Sequence, residues 1–180
     1  VVGLKECIEK ALAAMPAALK KTEEGLRVQS LCYSMRKMDV GDRVPDFTLL
    51  TPEGKEVNFY SFLKGKKCVI LDFWASWCGW CRKESPNVRK VFDTYKAKGV
   101  DVISVSFDTD RDKWVKAIAE DNTPWTQVSD LKGTDKGYVY KWYGLQGIPA
   151  IFLIDAQGRI IAQGMCGAAI EENVKKYLNR

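Results

Sequence analysis

The chain has 180 residues, of which 46% are hydrophobic and 28% charged, a balance typical of soluble globular proteins rather than disordered or fibrous ones. Its 28 basic and 23 acidic residues are interleaved, as in 64–67 against 108–112, so we interpret the net charge of +5 as solvation and predict no nucleic acid partner. No apolar run reaches the roughly 18 residues that a membrane span requires. This length favours one globular unit with an appendage.

Residues 1–40 are predicted to be a helical extension or the tail of an upstream helical region. Apolar residues recur at helical spacing from Leu4 to about Met38, with a break expected at Pro16. Because this segment cannot bury both faces alone, it should pack on the following domain, pair with another chain, or continue a preceding helical region. The chain begins at Val1 without a basic stretch and apolar run, so a signal peptide was either removed or never present.

Residues 41–180 are predicted to form one α/β domain. Strands and helices alternate and are followed by a hairpin and a last helix, which predicts a mixed sheet of about five to seven strands with helices on both faces. The predicted strands are 44–50, 55–59, 68–75, 101–107, 125–128, 150–155 and 159–165, and the predicted helices are 78–98, 111–120, 136–143 and 171–178. Pro86 is expected to kink the first of these helices.

The sequence WCGWC at residues 77–81 lies where a buried strand gives way to a helix. Cys78 would stand at the positive end of that helix, where backbone N–H groups and the helix dipole stabilise a thiolate, so we predict that it is the nucleophile. Cys81 lies one turn further and is expected to be more buried. It should stay protonated until it attacks the mixed disulfide and releases the product.

Two cysteines at this spacing can also be half of a zinc site, which needs two further ligands. The chain has no histidine, and its other four cysteines are scattered, so we predict a redox-active Cys78–Cys81 disulfide with no metal and no bound cofactor. Cys68 is expected in the core. Cys7 and Cys32, in the helical lead, are either unpaired or bridged.

The sequence DFWASWCGWCR at residues 72–82 closely resembles the active-site segment of thioredoxins. In addition, GIP at 147–149 resembles the cis-proline loop that faces the cysteine pair in that fold and binds the substrate backbone. The hairpin at 44–59 and an extra helix and strand between Phe107 and Trp142 are similar to the TlpA and ResA branch of the thioredoxin-like superfamily, which is related to AhpC/TSA proteins. The resemblance implies a thioredoxin fold with an N-terminal hairpin, a central α/β insertion and the helical extension, in the periplasm or cell envelope.

The resemblance also implies roles for residues around the cysteine pair. Asp72 falls where the family keeps a buried carboxylate beneath the disulfide, as proton acceptor for the resolving thiol, and burial should raise its pKa. The alternative is a carboxylate at a strand edge that reaches solvent. The implied substrate-binding residues are Trp77, Gly79, Trp80, Ile148 and Pro149.

Three residues keep alternative interpretations. Trp80 is either an exposed apolar platform for unfolded clients or, as the simpler expectation, an aromatic ring packed over the disulfide. Glu84, one turn past Cys81, resembles an acid that follows the motif in the TlpA branch, and a surface glutamate is the alternative. Cys166 lies in MCGA, which matches a stretch lining the substrate groove in thioredoxins, and an inert thiol is the alternative.

These features predict a thiol-disulfide oxidoreductase that exchanges disulfides with cysteine-containing proteins and receives electrons from a protein donor. Gly79-Trp80 replaces the Gly-Pro of reducing thioredoxins and resembles periplasmic disulfide isomerases, so a reductant is favoured only slightly over an isomerase or oxidase. A peroxiredoxin shares VPDF at 44–47 but would need Pro at 71 and Thr at 75, where the chain has Leu71 and Ala75. A non-catalytic binding or chaperone module with a structural disulfide is the remaining alternative.

Overall fold

Seven strands form one mixed sheet in residues 2–35 and 38–180, the part of the chain that the computed structural model describes. None of the helices in these residues is both long and apolar enough to cross a membrane. The strands are β1 (Thr48–Leu50), β2 (Glu56–Asn58), β3 (Cys68–Trp74), β4 (Val100–Ser106), β5 (Thr126–Ser129), β6 (Ala150–Asp155) and β7 (Ile160–Gln163). The helices are α1 (Val2–Ala14), α2 (Ala17–Lys20), α3 (Glu23–Ser34), α4 (Phe59–Leu63), α5 (Gly79–Tyr95), α6 (Arg111–Glu120), α7 (Gly133–Lys136), α8 (Val139–Trp142) and α9 (Ala168–Leu178).

Strand β3 lies near the centre of the sheet, whose order is β2-β1-β5-β4-β3-β6-β7. It pairs in parallel with β4 and antiparallel with β6, so residues 68–73 have a paired strand on either side. Its sequence CVILDFW is almost continuously apolar because helices and loops cover both faces of the sheet at this strand. The predicted mixed sheet of about five to seven strands is confirmed.

Successive residues of β3 face two different cores. Val69, Leu71 and Phe73 pack with the first hairpin and α8, whereas Cys68 and Ile70 pack with α5 and α9. Helix α5 covers the second face with apolar residues at helical spacing. These are Val88, Val91, Phe92 and Tyr95. Residue 72 belongs by alternation to this second face, beneath α5.

Several predicted elements have different bounds in the structure. The hairpin at 44–59 is confirmed, but both of its strands are shorter than predicted. The second strand ends at Asn58, because that residue caps a helix that was not predicted, with its Oδ1 accepting the Ser61 N–H at 2.9 Å. The helix predicted to reach residue 98 ends at Tyr95 and continues as a 3-10 turn. The segment 136–143 is divided between α7 and α8, because Gly137 adopts an extended conformation between them.

The leading segment is helical, as predicted, but it breaks at two points. Pro16 begins the first break, and Thr22 ends the second by accepting the Gly25 N–H at 3.1 Å through its Oγ1. Helix α3 packs against α8, where Trp142 Nε1 donates to Ser30 Oγ at 2.8 Å and its ring lies 5.4 Å from that of Tyr33. Helix α3 of the leading segment therefore packs against α8. Residues 36 and 37 of the predicted helix lie outside the described residues.

A pair of glycine substitutions tests how closely the last hairpin fits the first. Gly158 has a φ of +80°, and an added Cβ would lie 2.7 Å from the hydroxyl of Tyr60, which donates to the Val44 carbonyl. Gly54 has a φ of +81° with nothing within 4 Å. We expect Gly54→Ala to lower the free energy of unfolding by about 1 kcal/mol and Gly158→Ala by about 2–4 kcal/mol in urea unfolding. Equal losses would mean that Tyr60 moves aside without cost.

Candidate active site

The disulfide between Cys78 and Cys81 lies at the N-terminus of α5, with the two Cα atoms 5.3 Å apart. Cys78 is the N-cap residue of this helix, and its Sγ accepts the N–H of Cys81 at 3.2 Å. Both residues are buried, with exposed fractions of 7% and 4%. The sulfur of Cys78 therefore occupies the place of a capping oxygen, facing the positive end of the helix dipole.

The loop before β6 reaches the cysteine pair. The peptide bond between Ile148 and Pro149 is cis, as the resemblance implied. The carbonyl oxygen of Ile148 lies 3.7 Å from Cys78 Sγ, and the Ile148 side chain packs in the apolar cluster around the disulfide. A backbone carbonyl therefore borders the Cys78 sulfur, and the half-buried Pro149 follows it across the cis bond.

A buried carboxylate at the end of β4 holds the loop that carries Cys78. Asp108 is 2% exposed and accepts three hydrogen bonds, from the Ser76 N–H at 2.9 Å, the Ser76 hydroxyl at 2.5 Å and the Ser106 hydroxyl at 2.6 Å. Our interpretation of residues 108–112 as solvated charge is wrong for this residue. The sequence held one sign of this role: Asp108 directly follows an apolar strand and lies two residues after Ser106 of that strand.

Asp72 is half-buried in β3, on the face that α5 covers. Its Oδ2 accepts the hydroxyl of Ser104 at 2.8 Å. Burial raises the pKa of Asp72 to about 6, the Ser104 hydrogen bond opposes this rise, and the negative charge of Glu84 adds to it. Asp72 therefore lies in an inner strand of the sheet, and its side chain keeps partial exposure to solvent.

Glu84 is not a free surface glutamate. Its Oε2 accepts the Gly167 N–H at 2.8 Å and the Asn87 side-chain amide at 3.1 Å. Since Gly167 is the N-cap residue of α9, Glu84 ties α5 to the start of that helix. Cys166, directly before Gly167, is an exposed free thiol. The two predicted accessory residues therefore lie on the same junction.

The two tryptophans of the motif project into solvent. Trp77 is 63% exposed and Trp80 is 72% exposed, and the Lys83 ammonium lies 4.4 Å from the centre of the Trp80 ring. The expectation that Trp80 packs over the disulfide is therefore wrong. Trp80 and Lys83 are three residues apart and share the outer face of the helix, whereas Cys81 takes the inner face. Gly79, which lies between the two tryptophans in the sequence, is exposed as well.

The other four cysteines are free thiols. Cys68 is fully buried, as predicted, and burial raises its pKa to about 12. Cys7 and Cys32 are free, so the alternative of a bridge between them is not found. Within residues 2–35 and 38–180 there is no cluster of three or more cysteine, histidine or carboxylate side chains that could hold a metal ion.

Comparison with known proteins agrees with this geometry. Residues 39–178 match the Redoxin family. The chain is 35% identical over 144 residues to thiol-disulfide oxidoreductase ResA of Bacillus cereus, covering 80% of the chain and 79% of the relative. It is 30% identical over 131 residues to thiol:disulfide interchange protein HelX of Rhodobacter capsulatus, covering 72% and 70%. The thioredoxin domain of a Bacteroides vulgatus thiol-disulfide oxidoreductase superposes with a TM-score of 0.74 at 36% identity, covering 79% of the chain and all of that domain, so the fold is a thioredoxin fold.

Replacing Asp72 by Asn measures how much the charge of this half-buried carboxylate lowers the free energy of unfolding. Its folded pKa of about 6 lies above the ordinary value of 3.8, so the folded state binds more protons between these values and stability falls as the pH rises through them. We expect oxidised Asp72→Asn to be more stable than the wild type by about 1–3 kcal/mol at pH 8, and to lose this advantage below about pH 4.

Urea unfolding of the oxidised protein at both pH values checks this expectation. Asp112→Asn serves as the control, because that side chain is 96% exposed and its replacement should change stability by less than about 0.5 kcal/mol. An Asp72→Asn variant that is less stable than the wild type at pH 8 would contradict a folded pKa of Asp72 raised by burial.

Proposed function

The chain belongs to the Redoxin family and is a thiol-disulfide oxidoreductase, and from this premise we propose that it reduces disulfides in other proteins through Cys78 and Cys81. The observation that carries the proposal is the disulfide itself, with Cys78 capping α5 beside the cis-proline loop. Its substrates are cysteine-containing proteins. A protein donor would then return the pair to the dithiol after each cycle.

The proposed reaction begins with the Cys78 thiolate, stabilised by the helix N-terminus and by the Cys81 N–H. Its sulfur attacks one sulfur of the client disulfide, forming a mixed disulfide while the other client sulfur leaves as a thiolate. Cys81 then loses its proton and attacks Cys78 Sγ. The Cys78–Cys81 bond forms, the bond to the client breaks, and the electron pair leaves on the client sulfur. The client disulfide gains two electrons and the enzyme dithiol loses two.

Asp72 is proposed to accept the proton of Cys81 in the second step. A proton acceptor works best when its pKa lies near the working pH, and burial brings that of Asp72 to about 6. The residue lies on the face of β3 that α5 covers, between Ile70 and Trp74, and Trp74 packs in the same cluster as Cys81. The proton would pass on to solvent or to the released client thiolate.

Client binding is proposed to use the surface around Cys78. The exposed rings of Trp77 and Trp80 offer apolar area on one side of the disulfide, and Ile148 and Pro149 offer backbone groups on the other. Gly79 leaves the space between the rings open, since its position carries no side chain. Glu84 and Cys166 would contact larger clients from the junction with α9.

The reducing direction is supported by the charges near the pair. A strong oxidant needs a strongly stabilised thiolate. Here the chain has no histidine, and the Ile148 carbonyl that borders Cys78 Sγ favours the protonated thiol. Asp72 and Glu84, beneath and along α5, are both carboxylates, and negative charge opposes a second negative charge on sulfur.

An isomerase or oxidase is the second candidate, and the exposed Trp80 between the cysteines favours it, because an apolar ring beside the disulfide suits unfolded clients. A binding or chaperone module is the third. We further propose that residues 41–180 are the redox domain, that residues 1–40 are an extension docked on it, and that the protein acts in the periplasm or cell envelope.

Single cysteine variants test the assigned order of attack. Cys81→Ser should accumulate mixed disulfides with client proteins because the resolving thiol is gone, whereas Cys78→Ser should form none. Non-reducing electrophoresis after acid quenching measures both, with the free cysteines Cys7, Cys32 and Cys166 replaced by Ser in all samples. Trapping by Cys78→Ser alone would reverse the two roles. Retention of activity by the double variant would favour the binding module.

The reduction potential of the pair tests the direction of electron flow. Equilibration of the Cys78 and Cys81 dithiol with glutathione buffers, followed by thiol labelling, should give a value near that of thioredoxin, about −270 mV. A value at or above roughly −180 mV would assign the protein to the isomerases or oxidases instead.

A further inference from the structure

Three polar side chains form a row across the sheet beneath α5. Asp72 of β3 pairs with Ser104 of β4, which pairs in turn with Gln127 of β5. Paired residues of neighbouring strands present their side chains on the same face. Ser104 and Gln127 are 1% and 5% exposed, so polar groups in this row must be satisfied by partners inside the protein.

A hydrogen-bond chain with a fixed direction ends at Asp72. The indole Nε1 of Trp125 donates to Ser104 Oγ at 2.8 Å, and Ser104 Oγ lies 2.8 Å from Asp72 Oδ2. An indole N–H can only donate, so the serine oxygen must accept there. The single hydroxyl proton of Ser104 is therefore directed at the carboxylate. Trp125 is itself held in place, since it is 6% exposed and its ring lies 5.6 Å from that of Phe92 in α5.

We propose that Trp125 and Ser104 are positioning residues that set the proton affinity of Asp72, and hence the pH range in which Cys81 resolves the mixed disulfide. This inference rests on the proposed role of Asp72 as proton acceptor. Trp125 packs in a different apolar cluster from the two cysteines. It acts through Ser104, from the segment directly before β5.

The physical reason is that two influences oppose the charged form of Asp72. One is burial under α5, and the other is the negative charge of Glu84 on that helix. From the neighbouring strands, the paired residues Ser104 and Ile151 bring no charge. A hydroxyl that already accepts an N–H bond becomes a stronger donor, so the chain from Trp125 stabilises the carboxylate. Without it, Asp72 would hold its proton at higher pH and could not take another from Cys81.

The same segment supports a second side chain near the cysteines. Gln127 Oε1 accepts the indole N–H of Trp74 at 3.1 Å, and Gln127 Nε2 donates to Thr123 Oγ1 at 3.1 Å. Trp74 packs in the apolar cluster around the disulfide. Two separate hydrogen-bond chains therefore start in residues 123–127. One ends at the carboxylate of Asp72, and the other ends at the indole ring of Trp74.

The structure also offers a matched control for Trp125. Trp114 of α6 is 1% exposed and packs in the cluster around the disulfide, but its Nε1 has no hydrogen-bond partner. Trp125→Phe and Trp114→Phe both remove one buried indole N–H and similar volume. Only the first removes a bond that leads to Asp72.

The test follows the second step of the reaction with dithiobis-nitrobenzoate. The reduced protein, with Cys7, Cys32 and Cys166 replaced by Ser, is mixed with an equimolar amount of this reagent across a pH series. The first thionitrobenzoate is released by the attack of Cys78. The second is released when Cys81 attacks, and its rate does not depend on concentration. The pH midpoint of that second rate is the readout.

We expect the midpoint to rise by about half a pH unit in Trp125→Phe and by about one unit in Ser104→Ala. In Trp114→Phe, altered packing changes the rate alike at every pH and leaves the midpoint in place. A midpoint of Trp125→Phe equal to that of Trp114→Phe would overturn the assignment to Trp125. If Trp125→Phe does not fold, Ser104→Ala carries the test, and an unshifted midpoint there would overturn the whole chain.

Asp72→Asn separates this inference from the proposed function. If Asp72 is the acceptor, the titration step disappears in this variant, whether or not Trp125 contributes to it. A pH profile unchanged by Asp72→Asn would instead show that another group accepts the proton, and the proposed role of Asp72 would fail together with the inference built on it. Loss of the step in Asp72→Asn without a shift in Trp125→Phe or Ser104→Ala would overturn the inference alone.

Discussion

The site depends on the junction at which the central strand β3 ends and helix α5 begins. Both faces of β3 are covered, so close packing holds the strand in place. The position where the helix begins, directly after the strand, is held with it. Cys78 then caps the helix with sulfur instead of oxygen, and Asp108 holds the preceding turn through Ser76. A capping group accepts a backbone N–H at the start of the helix, and for this reason the Cys78 sulfur faces the positive end of the dipole.

The same junction places the side chain of Asp72 beneath the helix. Residue 72 alternates onto the face that α5 covers, so an aspartate there is only partly hydrated. Neutral donors stabilise its charged form: the Ser104 hydroxyl donates to Asp72 and itself accepts the indole N–H of Trp125. Neutral donors stabilise the charged form less than an arginine would. The carboxyl group therefore remains able to take up a proton near neutral pH.

The sequence predicted the junction well, because its signals are local. An apolar run followed by WCGWC marks a strand that leads into a helix, and GIP before an apolar strand predicted the cis bond that the structure has. The sequence did not predict the role of groups whose hydrogen-bond partners lie far along the chain. Asp108 and Ser76 are 32 residues apart, and Trp125 and Ser104 are 21 apart, so neither pair leaves a periodic pattern. Trp80 was misjudged because a hydrophobic residue in a motif carries no sign of which face it takes.

The absence of histidine from the chain gives these long-range bonds their importance. Histidine is the side chain that ordinarily exchanges protons at neutral pH, and an unperturbed carboxylate is too weak a base to take one from a thiol. A carboxylate can replace imidazole only if its surroundings raise its proton affinity, yet a carboxylate raised too far stays protonated and accepts nothing. Burial and Glu84 act in the first direction, and the Ser104 hydrogen bond acts in the second. In the proposed mechanism, the proton affinity of Asp72 is thus set jointly by its burial, by Glu84 and by the hydrogen bonds that run through Ser104.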